Sequence, residues 1–534
     1  MVRQPRRGLA ADLARGLWAG VVAALAMTAA TLVLRVAGGI PLPVELASDR
    51  IVPTLTIGQF NRLAADLGGL IQGKQVAFFS SLALQFVFGV LGGLALVGVS
   101  LRWRGEGRMQ RSPSLAVFLA TVGIPLLVLW VVAIALLWPV LDSNYRGLPA
   151  VWSRVGSAGG LLISLAAYAV ALVAAARALA SEPDLAGEES TAPKAKALPR
   201  RAVLLGGAGL FAAAVSTFLT RSLYRRATFG AFGYDGLQTR GPRLGSVTPN
   251  ERFYVVTKNL VDPDVDRDLW RLEVGGVVEE AHTYRFEDLA ALPTVTQSTT
   301  LECISNPVGG HLMSNAEWKG VSLPTILQKA KLKPEAVLVV LHGSDGYVHT
   351  IPIEKAMDPA TLVAFAMNGV PLPRRHGYPA RVLVPGAFGE VSVKWVDRIE
   401  ALDHTVLGYY EKQGWKAQVV PTTSRIDRPS AGQRLPLASS PIDVGGVAFA
   451  GDRGISRVEV STDGGATWVA ASIDYGPSPL TWVLWSYAWR PSRAGSYRLV
   501  ARATDGTGAP QIATEHGSPP AGATGYHKVE LQVV

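Results

Sequence analysis

The chain of 534 residues contains a single cysteine, Cys303, in a stretch that favours the presentation of one sulfur atom from a turn. The stretch reads Thr-Leu-Glu-Cys-Ile-Ser-Asn-Pro-Val-Gly-Gly at 300–310. One cysteine cannot form an internal disulfide, a four-thiolate zinc site, an iron–sulfur cluster or a Cys-x-x-Cys-His haem attachment. Three interpretations remain: an inert buried thiol, a catalytic nucleophile, or one thiolate completing the shell of a metal that brings its other soft ligands.

Further motifs surround Cys303 over residues 245–534. They are Leu-Glu-Cys-Ile-Ser-Asn at 301–306, Trp-Lys-Gly-Val-Ser-Leu at 318–323, Ile-Pro-Ile-Glu-Lys-Ala at 351–356, Asn-Gly-Val-Pro-Leu-Pro at 368–373, His-Gly-Tyr-Pro-Ala-Arg-Val-Leu-Val-Pro-Gly at 376–386 and Ser-Val-Lys-Trp at 392–395. In this order and spacing they resemble the sulfite oxidase family of molybdenum enzymes. The resemblance implies that family's mixed α+β molybdopterin domain.

The same resemblance implies a molybdenum–molybdopterin cofactor, with Cys303 as metal ligand and catalytic residue. A soft thiolate is a suitable ligand beside the dithiolene sulfurs of this cofactor. Arginine offers a planar fork for its phosphate and lysine a point charge. The predicted cofactor-binding residues are Lys258, Asn259, Ser305, Asn306, His376, Arg381, Gly389, Ser392 and Lys394. Substrate contacts could include Tyr347, His349 and Lys258.

Two departures from the family pattern concern the substrate. Sulfite-oxidising members place an arginine directly before the Ser/His-Val-Lys-Trp motif, whereas the aligned residue here is Val391, preceded by Glu390. They also carry Arg-Asn-His where this chain reads Phe-Tyr-Val-Val-Thr-Lys-Asn at 253–259. Fewer guanidinium groups and an added carboxylate weaken the attraction for a small dianion. We therefore expect feeble sulfite turnover by this chain, and a higher kcat/KM for sulfite when Val391 is replaced by arginine. Proteins that share a fold often differ in substrate, so the resemblance does not imply sulfite as the substrate.

The C-terminal region has the pattern of a β-sandwich. Residues 455–461 alternate apolar and polar side chains, as a half-buried strand does, and Asp-Gly-Gly at 463–465 then provides a turn. Further strands are predicted at 481–489 and 496–501, a spacing typical of an immunoglobulin-like domain. The run Val-Ser-Thr-Asp-Gly-Gly-Ala-Thr-Trp at 460–468 resembles the family's dimerisation domain. The resemblance therefore also implies a homodimer.

Apolar segments dominate the first 220 residues, which we interpret as a membrane anchor. A mean hydropathy of +0.25 with 17% charged residues is high for a soluble enzyme. Runs near the ~20 residues that span a bilayer as helix lie at 16–38, 76–100, 115–141, 158–180 and 202–220. The predicted architecture is an α-helical transmembrane bundle at 1–220, an α+β molybdopterin domain at 221–420 and an immunoglobulin-like β-sandwich at 421–534.

Positive charges predict the orientation of this anchor. Lysine and arginine concentrate at the N-terminus, in the loop at 101–114 and at 194–201, whereas the loops at 41–75 and 142–157 are less basic. After five spans the positive-inside rule leaves everything beyond about 221 outside the cytoplasm, and four spans would leave it inside. Pro-Arg-Arg-Ala at 199–202 resembles a twin-arginine export signal, although paired arginines before a span also satisfy the charge rule alone. The outer loop at 43–74, which contains Asp49, has two interpretations, a contact for a partner or quinone and a plain solvated loop, and we expect the second.

The anchor lacks the residues that hold redox metals. No histidine precedes His282, so bis-histidine haem is excluded there, and the missing cysteines exclude c-type haem and iron–sulfur clusters. Electrons would therefore pass to or from a separate cytochrome or quinone-linked protein. The chain has a net charge of +10, but its sequence shows no nucleic-acid-binding module in which basic and aromatic residues are interleaved. We therefore expect no nucleic-acid partner.

Our primary hypothesis is a membrane-anchored molybdopterin oxidoreductase that performs oxygen-atom transfer on a small substrate outside the cytoplasm. The alternatives are a sulfite dehydrogenase proper, a sulfoxide reductase, and a receptor or adhesion protein whose molybdopterin-like domain has lost its cofactor.

Overall fold

The computed structural model describes residues 9–105, 118–180, 200–228, 245–415, 419–437 and 440–534. Long helices form the N-terminal part of the protein. The helices are α1 (Leu9–Gly38), α2 (Pro43–Ile51), α3 (Ile57–Asp66), α4 (Leu70–Gly105), α5 (Ile124–Leu137), α6 (Ala150–Ala180), α7 (Arg200–Arg226), α8 (Phe286–Ala290), α9 (Leu323–Lys329) and α10 (Ile353–Ala356).

Four helical segments are long and apolar enough to cross a membrane, judged by length and composition: Asp12–Gly38, Ile71–Val99, Leu119–Val140 and Ala150–Leu179. They match the first four predicted runs, except that residues 115–117 of the third run lie outside the described residues. The fifth predicted run falls within α7, a helix of 27 residues that is not among these four.

Helix α1 is central to the helical part and packs against α4, α6 and α7. Glycines permit the closest of these approaches. A Cβ atom on Gly93 of α4 would lie 2.3 Å from the carbonyl oxygen of Gly16 in α1. Small residues let helix backbones approach in this way in membrane proteins.

Strands form the remainder of the described chain. They are β1 (Leu272–Gly276), β2 (His282–Tyr284), β3 (Thr294–Glu302), β4 (Met313–Ser322), β5 (Leu338–Gly343), β6 (Val348–Pro352), β7 (Leu362–Met367), β8 (Val370–Pro371), β9 (Arg381–Leu383), β10 (Val396–Leu402), β11 (Thr423–Arg428), β12 (Arg434–Leu435), β13 (Ile442–Phe449), β14 (Ile455–Ser461), β15 (Val469–Ala470), β16 (Ser472–Tyr475), β17 (Val483–Trp489), β18 (Gly495–Asp505) and β19 (His527–Val533).

The central region contains two sheets that share one apolar core. One sheet has the order β2-β1-β10-β5-β6, and the other has the order β3-β4-β7-β8 with β9 also paired to β7. Strands β1 and β10 run parallel, and the other pairs are antiparallel. Trp270, Trp395 and α9 residues such as Ile326 are fully buried in the core. This mixed framework agrees with the α+β prediction.

The C-terminal region consists of two sheets packed face to face. Their orders are β11-β13-β17-β16 and β12-β19-β18-β14-β15. Val444 and Trp485 of the first sheet share a core with Val458 and Leu499 of the second. The predicted strand at 455–461 coincides with β14, and those at 481–489 and 496–501 overlap β17 and β18. Alternating side chains therefore predicted these strands well.

Candidate active site

Cys303 directly follows β3, and a tight loop returns the chain from it to β4. The Cys303 amide donates to the carbonyl of Leu312 over 2.9 Å. Asn306 braces the loop from inside: its amide group donates to a carboxylate oxygen of Glu302 over 2.7 Å, and its side-chain oxygen accepts from the amide of Leu312 over 2.9 Å. These bonds fix the position of the sulfur.

The surroundings of the Cys303 sulfur disfavour a free thiolate. Burial, reinforced by the negative charge of Glu390, raises the pKa of Cys303 to about 12. Ser305 hydrogen-bonds to the sulfur through its backbone and its side chain. Catalytic cysteines normally have a lowered pKa, whereas a bound metal cation deprotonates its thiol outright. Of the interpretations open from the sequence, metal ligation therefore fits this environment better than nucleophilic attack.

A cavity opens beside Cys303 and brings most of the predicted site together. The predicted residues that line it are Lys258, Cys303, His376, Arg381, Gly389, Ser392 and Lys394. Asn259, Ser305 and Asn306 do not line it. Asn259 instead donates to Asp345 over 2.8 Å, while Ser305 and Asn306 act on the cysteine loop as described above. These three have positions behind the cavity wall.

Gly389 allows the wall to approach closely. A Cβ atom there would lie 2.2 Å from the hydroxyl oxygen of Tyr254, which also lines the cavity. The Gly389 amide donates to the Glu302 carbonyl over 2.7 Å, which links this segment to the cysteine loop. Any side chain at 389 would separate the two segments, so glycine is required by packing.

Arg381 and Lys394 are buried cations that face this cavity. Arg381 donates to the backbone carbonyls of His376, over 3.2 Å, and Ser392, over 2.9 Å. Its Nε has no hydrogen-bond partner in the described part of the chain. Lys394 donates to the carbonyls of Val256 and Arg375 over 3.2 and 3.3 Å.

Neither cation forms a salt bridge with a carboxylate of the described chain. Burial lowers the pKa of Arg381 to about 10 and that of Lys394 to about 8. Buried charges are normally paired. An anionic ligand in the cavity would supply the missing partner.

His376 is a neutral member of the site. Its Nε2 lies 2.8 Å from the carbonyl oxygen of Asn250, so we assign the proton to Nε2. Burial lowers the pKa of His376 to about 3, and Arg381 and Lys394 act in the same direction. The ring therefore contributes hydrogen bonds and shape to the site, whereas positive charge comes from its neighbours.

Lys258 reaches the cavity in contact with the N-terminal helices. Its ammonium nitrogen lies 2.7 Å from Oδ1 of Asp49, in α2, and 2.9 Å from the carbonyl oxygen of Asp345. Asp49 is buried. The expectation that the loop at 43–74 is solvated is thus wrong at Asp49, because the molybdopterin-type domain covers this residue.

Val391 does not line the cavity, contrary to the expectation that an arginine in its place would face the substrate. Its side chain is buried in the core of the central domain. Glu390 lines the cavity instead. Of the predicted substrate contacts, Tyr347 and Lys258 line the cavity, whereas His349 is turned towards the backbone of Thr350, 2.8 Å from its amide.

Sequence reasoning missed several other lining residues. They include Tyr254, Asp345 and Tyr410. Tyr254 lies in the segment at 253–259, whose departure from the family pattern was the only signal available. Asp345 and Tyr410 follow strands or turns outside the matching motifs, so nothing in the sequence marked them.

Comparison with known proteins identifies the family. Residues 259–410 match the family described as oxidoreductase molybdopterin binding domain, and residues 415–532 match the Mo-co oxidoreductase dimerisation domain. The uncharacterized oxidoreductase YuiH of Bacillus subtilis is 30% identical over 186 residues, which cover 34% of this chain and 92% of that protein. Mitochondrial sulfite oxidase of Drosophila melanogaster is 30% identical over 342 residues, covering 54% of this chain.

The chain belongs to the sulfite oxidase family of molybdopterin oxidoreductases. As a member of this family it is an enzyme, and its cofactor is molybdenum–molybdopterin. The chain spans 59% of the length of the Drosophila sulfite oxidase and 56% of the Macaca fascicularis one. The solved structure of the sulfane dehydrogenase SoxCD from Paracoccus pantotrophus aligns with a TM-score of 0.49 and 27% identity, over 54% of this chain and 82% of that one.

The residues around the cavity fit the cofactor of the sulfite oxidase family. Cys303 offers one soft sulfur donor. Within the described part of the chain neither Arg381 nor Lys394 forms a salt bridge, and the buried Nε of Arg381 has a vacant donor. An anionic cofactor that brings a metal with sulfur ligands would bind the Cys303 sulfur, pair with the two buried cations and accept the vacant donor of Arg381.

Proposed function

We propose that this chain is a membrane-anchored molybdenum–molybdopterin oxidoreductase acting on a small substrate outside the cytoplasm. The observation that carries the proposal is the convergence of Cys303, Arg381 and Lys394 on one cavity. When bound, the cofactor supplies two-electron oxygen-atom transfer.

The chain's own residues have binding and orienting roles in this proposal. Cys303 ligates the metal from a loop braced by Asn306. Arg381 and Lys394 hold the anionic part of the cofactor, the former through its planar fork and the latter as a point charge. His376 and Ser392 add neutral hydrogen-bonding groups, while Asn259 and Ser305 support the wall from behind. The cavity walls exclude water from the reacting centre.

Contacts between the helices and the catalytic domain support the outside location. Arg35, near the end of α1, donates to the carbonyl of Val261 over 3.1 Å. Lys74, near the start of α4, donates to the carbonyl of Asn259 over 3.0 Å. The Asn144 amide, just before α6, donates to the carbonyl of Ser344 over 2.7 Å. The loops nearest these contacts are the less basic ones, which the positive-inside rule assigns to the outer face.

The end of α7 supports five crossings. Arg226, its last residue, lies 3.6 Å from Asp264 of the catalytic domain. The basic segment at 194–201 includes the first two residues of α7. A helix that begins beside an inner charge cluster and ends at the outer domain is a spanning helix. The twin-arginine resemblance at 200–201 is consistent with export of the domain in folded form.

We further propose an immunoglobulin-like C-terminal domain that forms a homodimer, and a separate cytochrome or quinone-linked electron carrier. The match of residues 415–532 to a dimerisation domain supports the homodimer. Within the same enzyme class, sulfoxide reduction is a second candidate. Burial raises the pKa of Glu390 at the cavity to about 8, so this group offers a neutral hydrogen-bonding carboxyl where a dianion would need a cation, and that favours a neutral sulfoxide over sulfite.

Metal analysis tests the proposal directly. Protein purified from a host that makes molybdopterin should contain molybdenum in a one-to-one ratio to the chain. A screen of oxygen-atom acceptors such as sulfite and oxygen-atom donors such as sulfoxides, with artificial redox dyes, would then identify the substrate class. A folded protein without molybdenum would contradict the enzyme proposal and favour the cofactor-less receptor.

A further inference from the structure

The outer ends of the anchor helices form part of the wall behind the cofactor cavity. The central contact is the salt bridge between Asp49 of α2 and Lys258, at 2.7 Å. The side chains of both residues are more than nine-tenths buried, with exposures of 8% and 7%. A pair so well excluded from water is much less screened than a surface ion pair.

Lys74 fixes the backbone on both sides of Lys258. Its ammonium group donates to the carbonyl of Thr257 over 2.6 Å and to that of Asn259 over 3.0 Å. Arg35 holds the next turn of the same segment through the carbonyl of Val261 and is itself paired with Glu45 at 2.9 Å. The anchor therefore holds the whole stretch that presents Lys258.

The opposite side of Lys258 is also connected to the anchor. The carbonyl of Asp345 accepts from Lys258 over 2.9 Å. The preceding residue, Ser344, accepts the amide proton of Asn144, in the loop before α6. Asp345 lines the cavity together with Lys258. Two anchor loops thus hold two separate segments of the cavity wall.

We propose that Asp49 is a positioning residue for the molybdopterin site: it holds the Lys258 ammonium at the cavity, so that the anchor completes the active site. This inference rests on the function proposed above. A lysine side chain is flexible and its charge compact, so its location depends on its partners. Asp49 and Asp345 take two of its three donors, which leaves the third for a ligand in the cavity. Although burial opposes it, the charges of Asp49 and Asp345 raise the pKa of Lys258, so the group stays cationic.

A simple docking contact between anchor and domain is the competing explanation. The chain provides a control in the salt bridge between Arg146 and Asp266, at 3.3 Å, which also joins the anchor to the domain and is more exposed, at 31% and 35%. Neither residue lines the cavity. A docking role predicts that both changes lower the melting temperature, to different degrees, without loss of cofactor, whereas a positioning role predicts an effect on the cofactor from Asp49 alone.

The test compares full-length Asp49→Asn, Arg146→Gln, Lys258→Gln and the double variant Asp49→Asn/Lys258→Gln in detergent. Molybdopterin per chain, KM for a dye-linked substrate and the melting temperature are measured for each. We expect Asp49→Asn to lower molybdopterin content or raise KM by about 10- to 100-fold, the usual result of removing a group that orients a ligand. Arg146→Gln should leave both unchanged.

The double variant separates positioning from folding. Removing both charges removes the buried ammonium that Asp49→Asn alone leaves without its salt bridge, so the melting temperature of the double variant should recover towards that of the wild type. Its cofactor content or KM should remain as impaired as in Lys258→Gln. Two results would overturn the inference. One is recovery of both the melting temperature and the cofactor content or KM in the double variant, and the other is an equal loss of cofactor in Asp49→Asn and Arg146→Gln. A wild type without molybdopterin would overturn the proposed function and this inference with it, whereas a loaded wild type with an unaffected Asp49→Asn overturns only the latter.

Discussion

Glu390 and Val391 are neighbours in the chain whose side chains lie on opposite sides of the cavity wall. Glu390 lines the cavity that contains Cys303, and Val391 is packed in the apolar core. Tyr347 fixes this arrangement by donating its hydroxyl to the Glu390 carbonyl over 3.0 Å. We therefore expect substrate charge to be controlled at 390, one residue before the position indicated by the sequence motif.

Substitutions at these two positions should have opposite results. Val391→Arg should destabilise the protein by about 1–3 kcal/mol or more, because it overpacks the core and buries a charge, without gain in sulfite turnover. Glu390→Arg places a cation in the cavity and should raise kcat/KM for sulfite by about ten- to a hundredfold, as a charge-assisted hydrogen bond does. Melting temperature and sulfite kinetics at equal molybdenum content measure both. Faster sulfite oxidation by a Val391→Arg protein of unchanged stability would contradict this assignment.

Cys303→Ser should abolish turnover, because a hard hydroxyl is a poor substitute for thiolate beside molybdenum. The chain should still fold, since the cysteine loop is braced by Asn306 and by backbone bonds. Ser305→Ala is a suitable control, because it removes only a hydrogen bond to the sulfur. Residual activity of Cys303→Ser close to that of Ser305→Ala would argue against metal ligation by this residue.

Reporter fusions can test the orientation of the anchor. Fusions after Leu198 should be cytoplasmic and fusions after Ser222 extracytoplasmic, because most of α7 lies between the two positions. Replacing Arg200 and Arg201 by lysine keeps the positive charge and should block export only if the twin-arginine route is used. Normal export of that variant would leave the charge rule as the sole determinant. Cytoplasmic signals from both fusions would place the active site inside.

His376 should make stability depend on pH. Its pKa is lowered to about 3 in the folded protein, whereas an unfolded histidine takes up a proton near 6.5. The unfolded state then binds more protons between these values, so stability is complete above about pH 6.5 and is lost as pH falls towards 3. At about pH 4.5 the loss from this residue is about 2 to 3 kcal/mol.

Thermal unfolding of the wild type and His376→Gln at the two ends of this pH range measures the effect. The variant should lose less stability on acidification than the wild type. His516→Gln, at an exposed histidine, is the control and should behave like the wild type. Equal acid sensitivity of wild type and His376→Gln would mean that the histidine is not buried as described.

The parts of the site that sequence predicted are those carried by local motifs. Cys303, His376, Arg381 and Lys394 lie in short runs whose spacing is specific, and the structure brings them to one cavity. The β-sandwich strands were equally accessible, because alternation of side chains is visible within one strand. The direction in which the Val391 side chain points could not be predicted, because a shift of one residue along an extended chain turns the side chain to the opposite side.

Contacts between distant parts of the chain could not be predicted. Asp49 and Lys258 are 209 positions apart, and nothing in the composition of the loop at 43–74 marks Asp49 for burial. The role of Asn306 as a brace was hidden for another reason. A polar residue in a cofactor motif serves a ligand or its own loop equally well, and only the geometry of its amide distinguishes the two.

The salt bridge between Asp49 and Lys258 also constrains the order of assembly. The two residues are separated in the chain by α3, α4, α5, α6 and α7. If the catalytic domain is translocated in folded form, it reaches the outer surface with Lys258 still hydrated, and the pair is desolvated only when the domain seats on the helices. Maturation then has a final step after translocation, in which a loaded but unseated domain becomes competent by docking onto its own anchor.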